Sequence, residues 1–144
     1  MNTKQIGSLT ELQCITRFYE LGYTVSIPYG DSEKYDFILD VNGKLYKLQC
    51  KHCSEKKDSN GNISVVSIKT SWQSGYTKNE KWSRHLYTSR DIDYFVTHYN
   101  GKNYMIPVDE CGTMKYLRLT SPLNNKQGVY YLCDYEDTVV CKNL

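Results

Sequence analysis

The sequence predicts an α/β or α+β domain with a mixed sheet, on three observations. A first segment carries apolar residues at helical spacing, the stretch after it breaks into short runs of strand formers, and two of the turns between those runs are Asn-Gly. A length of 144 residues suits one domain with one core, and residues 1–144 are expected to form it.

The helix is expected over about Lys4 to Leu21, where Leu12, Ile15, Thr16 and Tyr19 recur at helical spacing and Gly22 stands at the C-cap position. Glu11 shares a neighbouring line with Ile15 and Phe18, which puts its carboxylate at the border of the buried face. Tyr23–Pro28 reads as a short strand closed by Pro28 and a turn at Gly30-Asp31-Ser32. Tyr35–Asp40 and Gly43–Lys51 follow as a hairpin joined at Asn42-Gly43. In its second strand Tyr46, Leu48 and Cys50 share one face, and Lys47, Gln49 and Lys51 the other.

Glu55–Asn62 is polar and rich in turn formers and reads as a loop before a strand at Ile63–Ile68. Periodicity fades from Thr70 to Arg90, as in a long functional loop or a weak helix. Strands at Tyr94–Tyr99 and Tyr104–Val108 flank the second turn, Asn100-Gly101. Two more strands are expected near Lys115–Leu119 and Val129–Cys133.

No run is apolar enough to span a bilayer, and the polar start Met1-Asn2-Thr3-Lys4-Gln5 lacks the apolar stretch of a signal peptide. A cytoplasmic protein is expected, with no membrane partner and its six cysteines reduced. Cys50 and Cys53 form the one CxxC, without the second pair or the histidines that a structural zinc site uses.

Charge is unevenly spread. Residues 1–40 carry a net −3, residues 41–90 a net +7 and residues 91–144 a net −2. A basic block between two acidic ones suits a polyanion, and Trp72, Tyr76, Trp82 and Tyr87 are interleaved in it as rings able to stack on bases. Lys69, Lys78, Lys81, Arg84 and Arg90 face only Glu80 between positions 69 and 90, so this segment is expected to follow a phosphate backbone, with His85 adding a contact.

The informative chemistry lies in Glu11 on the helix, Asp36 opening one strand, and Gln49-Cys50-Lys51 ending its hairpin partner. Folding the hairpin brings Asp36 beside Gln49 and Lys51 at one edge of the sheet. Asp36 and Glu11 offer charged oxygens and Gln49 a neutral one, which is the hard donor set a divalent ion takes. Such an ion polarises a phosphate, while Lys51 is placed to position water or offset charge growing on the phosphoryl oxygens.

Order and spacing resemble the PD-(D/E)xK nuclease superfamily. The matching stretches are Gly7-Ser8-Leu9-Thr10-Glu11, then Tyr29 through Asp36, then Leu48-Gln49-Cys50-Lys51. Gln49 stands where most members have an acid, a QxK variant similar to that of group I intron-encoded homing endonucleases of this fold. Tyr87-Thr88 through Phe95, Tyr104–Val108, and Arg118-Leu119 with Pro122 and Asn124–Gly128 are similar to that family's later strands and C-terminal motif.

The resemblance implies an α/β restriction-endonuclease-like fold with a mixed central sheet and an N-terminal helix carrying the first acidic residue. It implies Glu11, Asp36, Gln49 and Lys51 as catalytic residues, the first three as ligands of Mg2+ with Mn2+ as a substitute. DNA contacts are expected from Ser8, from Lys69, Lys78, Lys81, Arg84 and His85, and from Asn124, Lys126 and Gln127. The activity implied is site-specific cleavage of duplex DNA by a homodimer or homotetramer. A Holliday junction resolvase and a binding module that keeps the fold without cutting stand as alternatives.

Overall fold

The computed structural model describes residues 1–75, 83–119 and 128–144. It opens on α1 (Thr3–Glu20), begun by a capping box in which Asn2 and Gln5 exchange side chain to backbone hydrogen bonds of 2.9 Å. Gly22, at φ +88°, takes the left-handed turn that ends it.

The buried side of α1 is Thr10, Cys14 and Phe18, with Glu11 and Ile15 half-buried beside them. This corrects the expected stripe, since Leu12 is 62% and Tyr19 74% exposed. Apolar residues occur on both sides of this helix, so spacing alone does not rank them. The sheet selects the side with small and hydrogen-bonding groups: Cys14 Sγ meets Cys50 Sγ at 3.7 Å, the Cys14 carbonyl accepts from Asn103 Nδ2 at 2.8 Å, and the Thr10 hydroxyl donates back to Ile6 at 2.9 Å.

In chain order the strands are β1 (Thr24–Ser26), β2 (Phe37–Val41), β3 (Lys44–Cys50), β4 (Ser54–Lys57), β5 (Ile63–Lys69), β6 (Ser71–Ser74), β7 (Ser83–Leu86), β8 (Tyr94–Tyr99), β9 (Lys102–Pro107) and β10 (Met114–Arg118). The central sheet runs β1-β2-β3-β8-β9, with β3 and β8 parallel and its other pairs antiparallel, so it is mixed as expected. Both hairpin turns use Asn then Gly at positive φ, at Asn42-Gly43 and Asn100-Gly101, the backbone that type I′ turns need.

A second sheet runs β10-β5-β4, and β6 and β7 form a two-stranded ribbon. β4 lies where a loop was expected; its four residues are all exposed, so it shows no alternation that would betray a strand. Of the stretch 70–90 expected as a loop or weak helix, Ser71–Ser74 and Ser83–Leu86 are instead the strands of the ribbon, and 76–82 lie outside the described residues. Val129–Cys133 does not form the expected strand. It contributes an isolated bridge from Tyr131 to Arg118 and then a 3₁₀ turn at Leu132–Tyr135. A second helix, α2 (Asp137–Lys142), was not anticipated. It is anchored by Asp137, fully buried, whose carboxylate accepts from Arg17 Nε at 3.0 Å and Nη2 at 3.3 Å.

Alternating side chains give the central sheet two packed faces. Phe37, Leu39, Leu48, Val96 and Met105 pack with Cys14 and Phe18 of α1 and Cys141 of α2. Phe95 and Ile106, on the other side, pack with Val66 and Ile68 of β5 and Leu117 of β10. The second sheet is therefore held against the face opposite α1. All six cysteines are free thiols. No described helix is long and apolar enough to cross a membrane.

Candidate active site

The β2–β3 register runs from Val41↔Lys44 to Phe37↔Leu48 and leaves Asp36 at the open end of the hairpin. There Asp36 is fastened twice. Its N–H donates to the Leu48 carbonyl at 2.9 Å, and its carboxylate Oδ2 accepts the Cys50 N–H at 2.7 Å. The two bonds bracket Gln49. Next along the strand, the Lys51 N–H donates to the Val96 carbonyl at 2.9 Å, so β8 carries the parallel pairing one residue past the end of β3.

Glu11 arrives from α1 and lines, together with Asp36, a cleft of about 220 Å³ walled by Ile27, Pro28 and Tyr35. Asp31 and Glu33 line it too. Sequence reasoning passed over both because Gly30-Asp31-Ser32 reads as a turn, and a turn explains an aspartate without chemistry.

Burial pushes the Asp36 carboxyl above the usual carboxylate range, against the opposing pull of the Cys50 N–H and the Lys51 charge. Glu11 is pushed up as well, by burial first and by the negative charge of Asp36 second. Burial moves Lys51 below an ordinary lysine; Asp36 opposes that fall and Lys69 adds to it. Contact with Cys14, then burial, raises the Cys50 thiol, so the residue between Gln49 and Lys51 is a neutral packing group rather than a nucleophile.

These residues fit a hard divalent cation. Two carboxylates are held partly out of water near enough to oppose each other's ionisation, and a cation between them would relieve both costs. The Cys50 bond engages one oxygen of Asp36 and leaves Oδ1 for a cation. Among the described residues no three Asp, Glu, His or Cys side chains converge on a metal geometry. Glu11 and Asp36 are the expected carboxylates that line the cleft, and Gln49 stands on β3 between the two bonds that fasten Asp36.

Tyr87 is a neighbour that sequence reasoning did not place here. Lys51 Nζ lies 5.3 Å from its ring centroid, its ring packs edge-on against Phe95 at 5.1 Å, and burial followed by the Asp36 charge raises its hydroxyl pKa. Trp72, on β6, has its own close neighbours. His85 stacks on it at 4.2 Å and the Lys34 ammonium lies 3.4 Å from its centroid, while His85 Nε2 meets Ser74 Oγ at 2.6 Å.

Of the remaining expected DNA contacts, Ser8 on α1, Lys69 ending β5 and Arg84 on β7 are exposed. Lys78, Lys81, Asn124, Lys126 and Gln127 lie outside the described residues, as do Tyr76 and Trp82.

No curated protein matches the chain. Among solved structures it is similar to a bacterial homing endonuclease, I-Ssp6803I, at 24% identity and a TM-score of 0.76, over 99% of this chain and 95% of that one. The family described as PD-(D/E)XK endonuclease matches residues 1–138. That match runs through the helix carboxylate, the hairpin and both sheets, and it decides the family: this protein belongs to the PD-(D/E)XK endonucleases.

Proposed function

We propose that the chain is a magnesium-dependent endodeoxyribonuclease, one nuclease domain over residues 1–144, that cuts duplex DNA at specific sites. The observation that carries this reading is the double fastening of Asp36 across Gln49, with Glu11 lining the same cleft and Lys51 following on the strand. Homing-type specificity draws its support from the description of the structural neighbour.

In this reading Glu11, Asp36 and Gln49 hold Mg2+, with Mn2+ as a substitute. The ion supplies charge that polarises the scissile phosphate. Lys51, desolvated and drawn toward Asp36, orients the attacking water and offsets charge growing on the phosphoryl oxygens. Cys50 keeps Gln49 and Lys51 in register by giving its N–H to Asp36 and packing its side chain on Cys14. Cutting two strands calls for two copies of the site, so the working form is a homodimer or homotetramer.

The deciding experiment incubates purified protein with supercoiled plasmid, linear duplex and a four-way junction, each with magnesium or with chelator. Nicking of plasmid and duplex that needs the metal and disappears in Asp36→Ala supports the reading. Cleavage confined to the junction would replace it with a resolvase. Binding without cleavage under every metal tried would make it a DNA-binding module, with the lost charge at Gln49 as the cause.

A further inference from the structure

We propose that the exposed face of the three-stranded sheet is a second DNA contact, a cationic groove holding backbone phosphates that flank the one cut at Asp36. It rests on the nuclease reading above and assigns residues outside the active site and the ribbon.

The groove encloses about 400 Å³, and its described lining contains Lys56, Lys57 and Arg118, the rings of Tyr116 and Tyr130, and no carboxylate. The register accounts for this set. Lys56 and Arg118 both pair with Val65 of the central strand, so the two cations and that valine form one row across the sheet, on one face. Lys57 should point to the opposite face by simple alternation. The pairing steps from Lys56↔Val65 to Lys57↔Ile63, leaving Ser64 as an extra residue on β5, and at this irregular end of β4 Lys57 also lines the groove.

One wall is rigid. The Arg118 N–H donates to the Tyr130 carbonyl at 2.9 Å, the Leu119 N–H to Ser64 at 3.1 Å, and the ammonium of Lys115 lies 3.3 Å from the Tyr130 ring centroid. On the floor Lys56 Nζ lies 4.4 Å from the Tyr116 ring.

Direction along the face connects this groove to the active site. Val65 and Lys69 lie on the same side of β5, four residues and about 13 Å apart at the usual strand rise. Lys69 is close enough to Lys51 for the two charges to repel. A strand of B-DNA advances about 3.4 Å per phosphate, so the run from Val65 to Lys69 matches about four phosphate steps along one backbone. Three clustered cations, two tyrosine rings and the absence of acids suit a duplex backbone, whose contacts are mostly to phosphate.

The test measures the affinity of Asp36→Ala protein for a random-sequence duplex of about 40 base pairs across a salt series in chelator, so that nothing is cut. Adding Lys56→Ala, Lys57→Ala and Arg118→Ala should weaken binding and flatten the plot of log K against log salt by about two to three units, close to one per lost phosphate contact. Two comparison variants guard the result. Lys56→Arg, Lys57→Arg and Arg118→Lys together should keep the slope, and Lys4→Ala, Lys44→Ala and Lys142→Ala, an equal charge loss away from the groove, should change it less. An unchanged slope in the groove variant, an equal loss in the distant variant, or loss in the charge-keeping variant each overturns the groove. If Asp36→Ala and wild type alike fail to bind duplex, the nuclease reading falls with it. A single-stranded RNA of equal length that binds more tightly than duplex would also overturn the proposal.

Discussion

The sulfurs of Cys14 and Cys50 lie 3.7 Å apart and join α1 to β3 directly behind the active site. Cys14 is fully buried and stands one helical turn from Glu11, so the thickness of this contact sets how closely the helix carboxylate approaches Asp36. Cys14→Leu should force the two elements apart at a cost of about 1–3 kcal/mol and lower plasmid nicking further than Cys14→Ala, which leaves α1 free to stay in place. Thermal unfolding and nicking rates for the pair check this; equal activity in the two variants would separate helix position from catalysis.

Asp36→Asn retains an oxygen for the Cys50 N–H while removing the charge, which separates the residue's structural bond from its ionisation. The folded-state pKa of Asp36 is raised, so folding favours the neutral form and the stability belonging to that form is lost as pH rises through the folded value. Without metal, Asp36→Asn should therefore melt higher than wild type at neutral pH, and the gap should close on acidification below the ordinary aspartate range. Magnesium should raise the melting temperature of wild type and leave the variant unchanged. A variant that melts lower at neutral pH would refute the account of burial.

Asp36→Ala and Lys51→Ala should each abolish cleavage while duplex binding persists, since both sit at the end of the hairpin and neither belongs to the packed clusters. Glu11→Ala should impair cleavage less uniformly across metals, because a helix carboxylate can act through an intervening water. Cleavage assays run in parallel with binding to the same duplex distinguish these outcomes, and wild-type rates in Asp36→Ala would remove the assignment.

With Gln49 a ligand beside Glu11 and Asp36, as proposed above, Gln49→Glu adds a carboxylate and should tighten Mn2+ binding in a direct titration. Its rate need not rise, because Lys51 already feels Asp36 at close range and further negative charge would hold its proton more firmly. Unchanged metal affinity would count against Gln49 as a ligand.

Asp137→Ala should destabilise the fold by about 3 kcal/mol, the low end for breaking a buried pair. The Arg17 side chain keeps 20% of its exposure and has water to fall back on, whereas the Asp137 side chain has none. A denaturant midpoint shifted by less than half of that would place the anchor of α2 elsewhere.

Sequence spacing exposed the parts of this protein that rest on local rules. Asn42-Gly43 and Asn100-Gly101 announce type I′ turns, and those turns fix the hairpins that carry Asp36, Gln49 and the β8 partner of Lys51. The buried side of α1 was not legible, because what chooses it is a partner, Cys50, that lies 36 positions away. β4 and the ribbon hid for a related reason: the edge strand Ser54–Lys57 is exposed throughout, and Ser71–Ser74 pairs only with Ser83–Leu86 among the described residues. Tyr87 comes to Lys51 through tertiary folding, whereas Glu33, three positions before Asp36, lines the cleft from a stretch that reads as a turn.

The ribbon of β6 and β7 pairs with no strand but its own partner among the described residues. In the chain it lies between β5, which ends at Lys69, and Tyr87, whose ring packs on Phe95. Insertions and deletions beyond the contact of Trp72 with Lys34 would leave the pairing of β2 with β3 and of β3 with β8 in place. Such a part can drift quickly under selection. In the nuclease proposed above, a lineage could rewrite this arm while the cutting machinery stays constant, and the same boundary marks where a designer would graft a foreign arm.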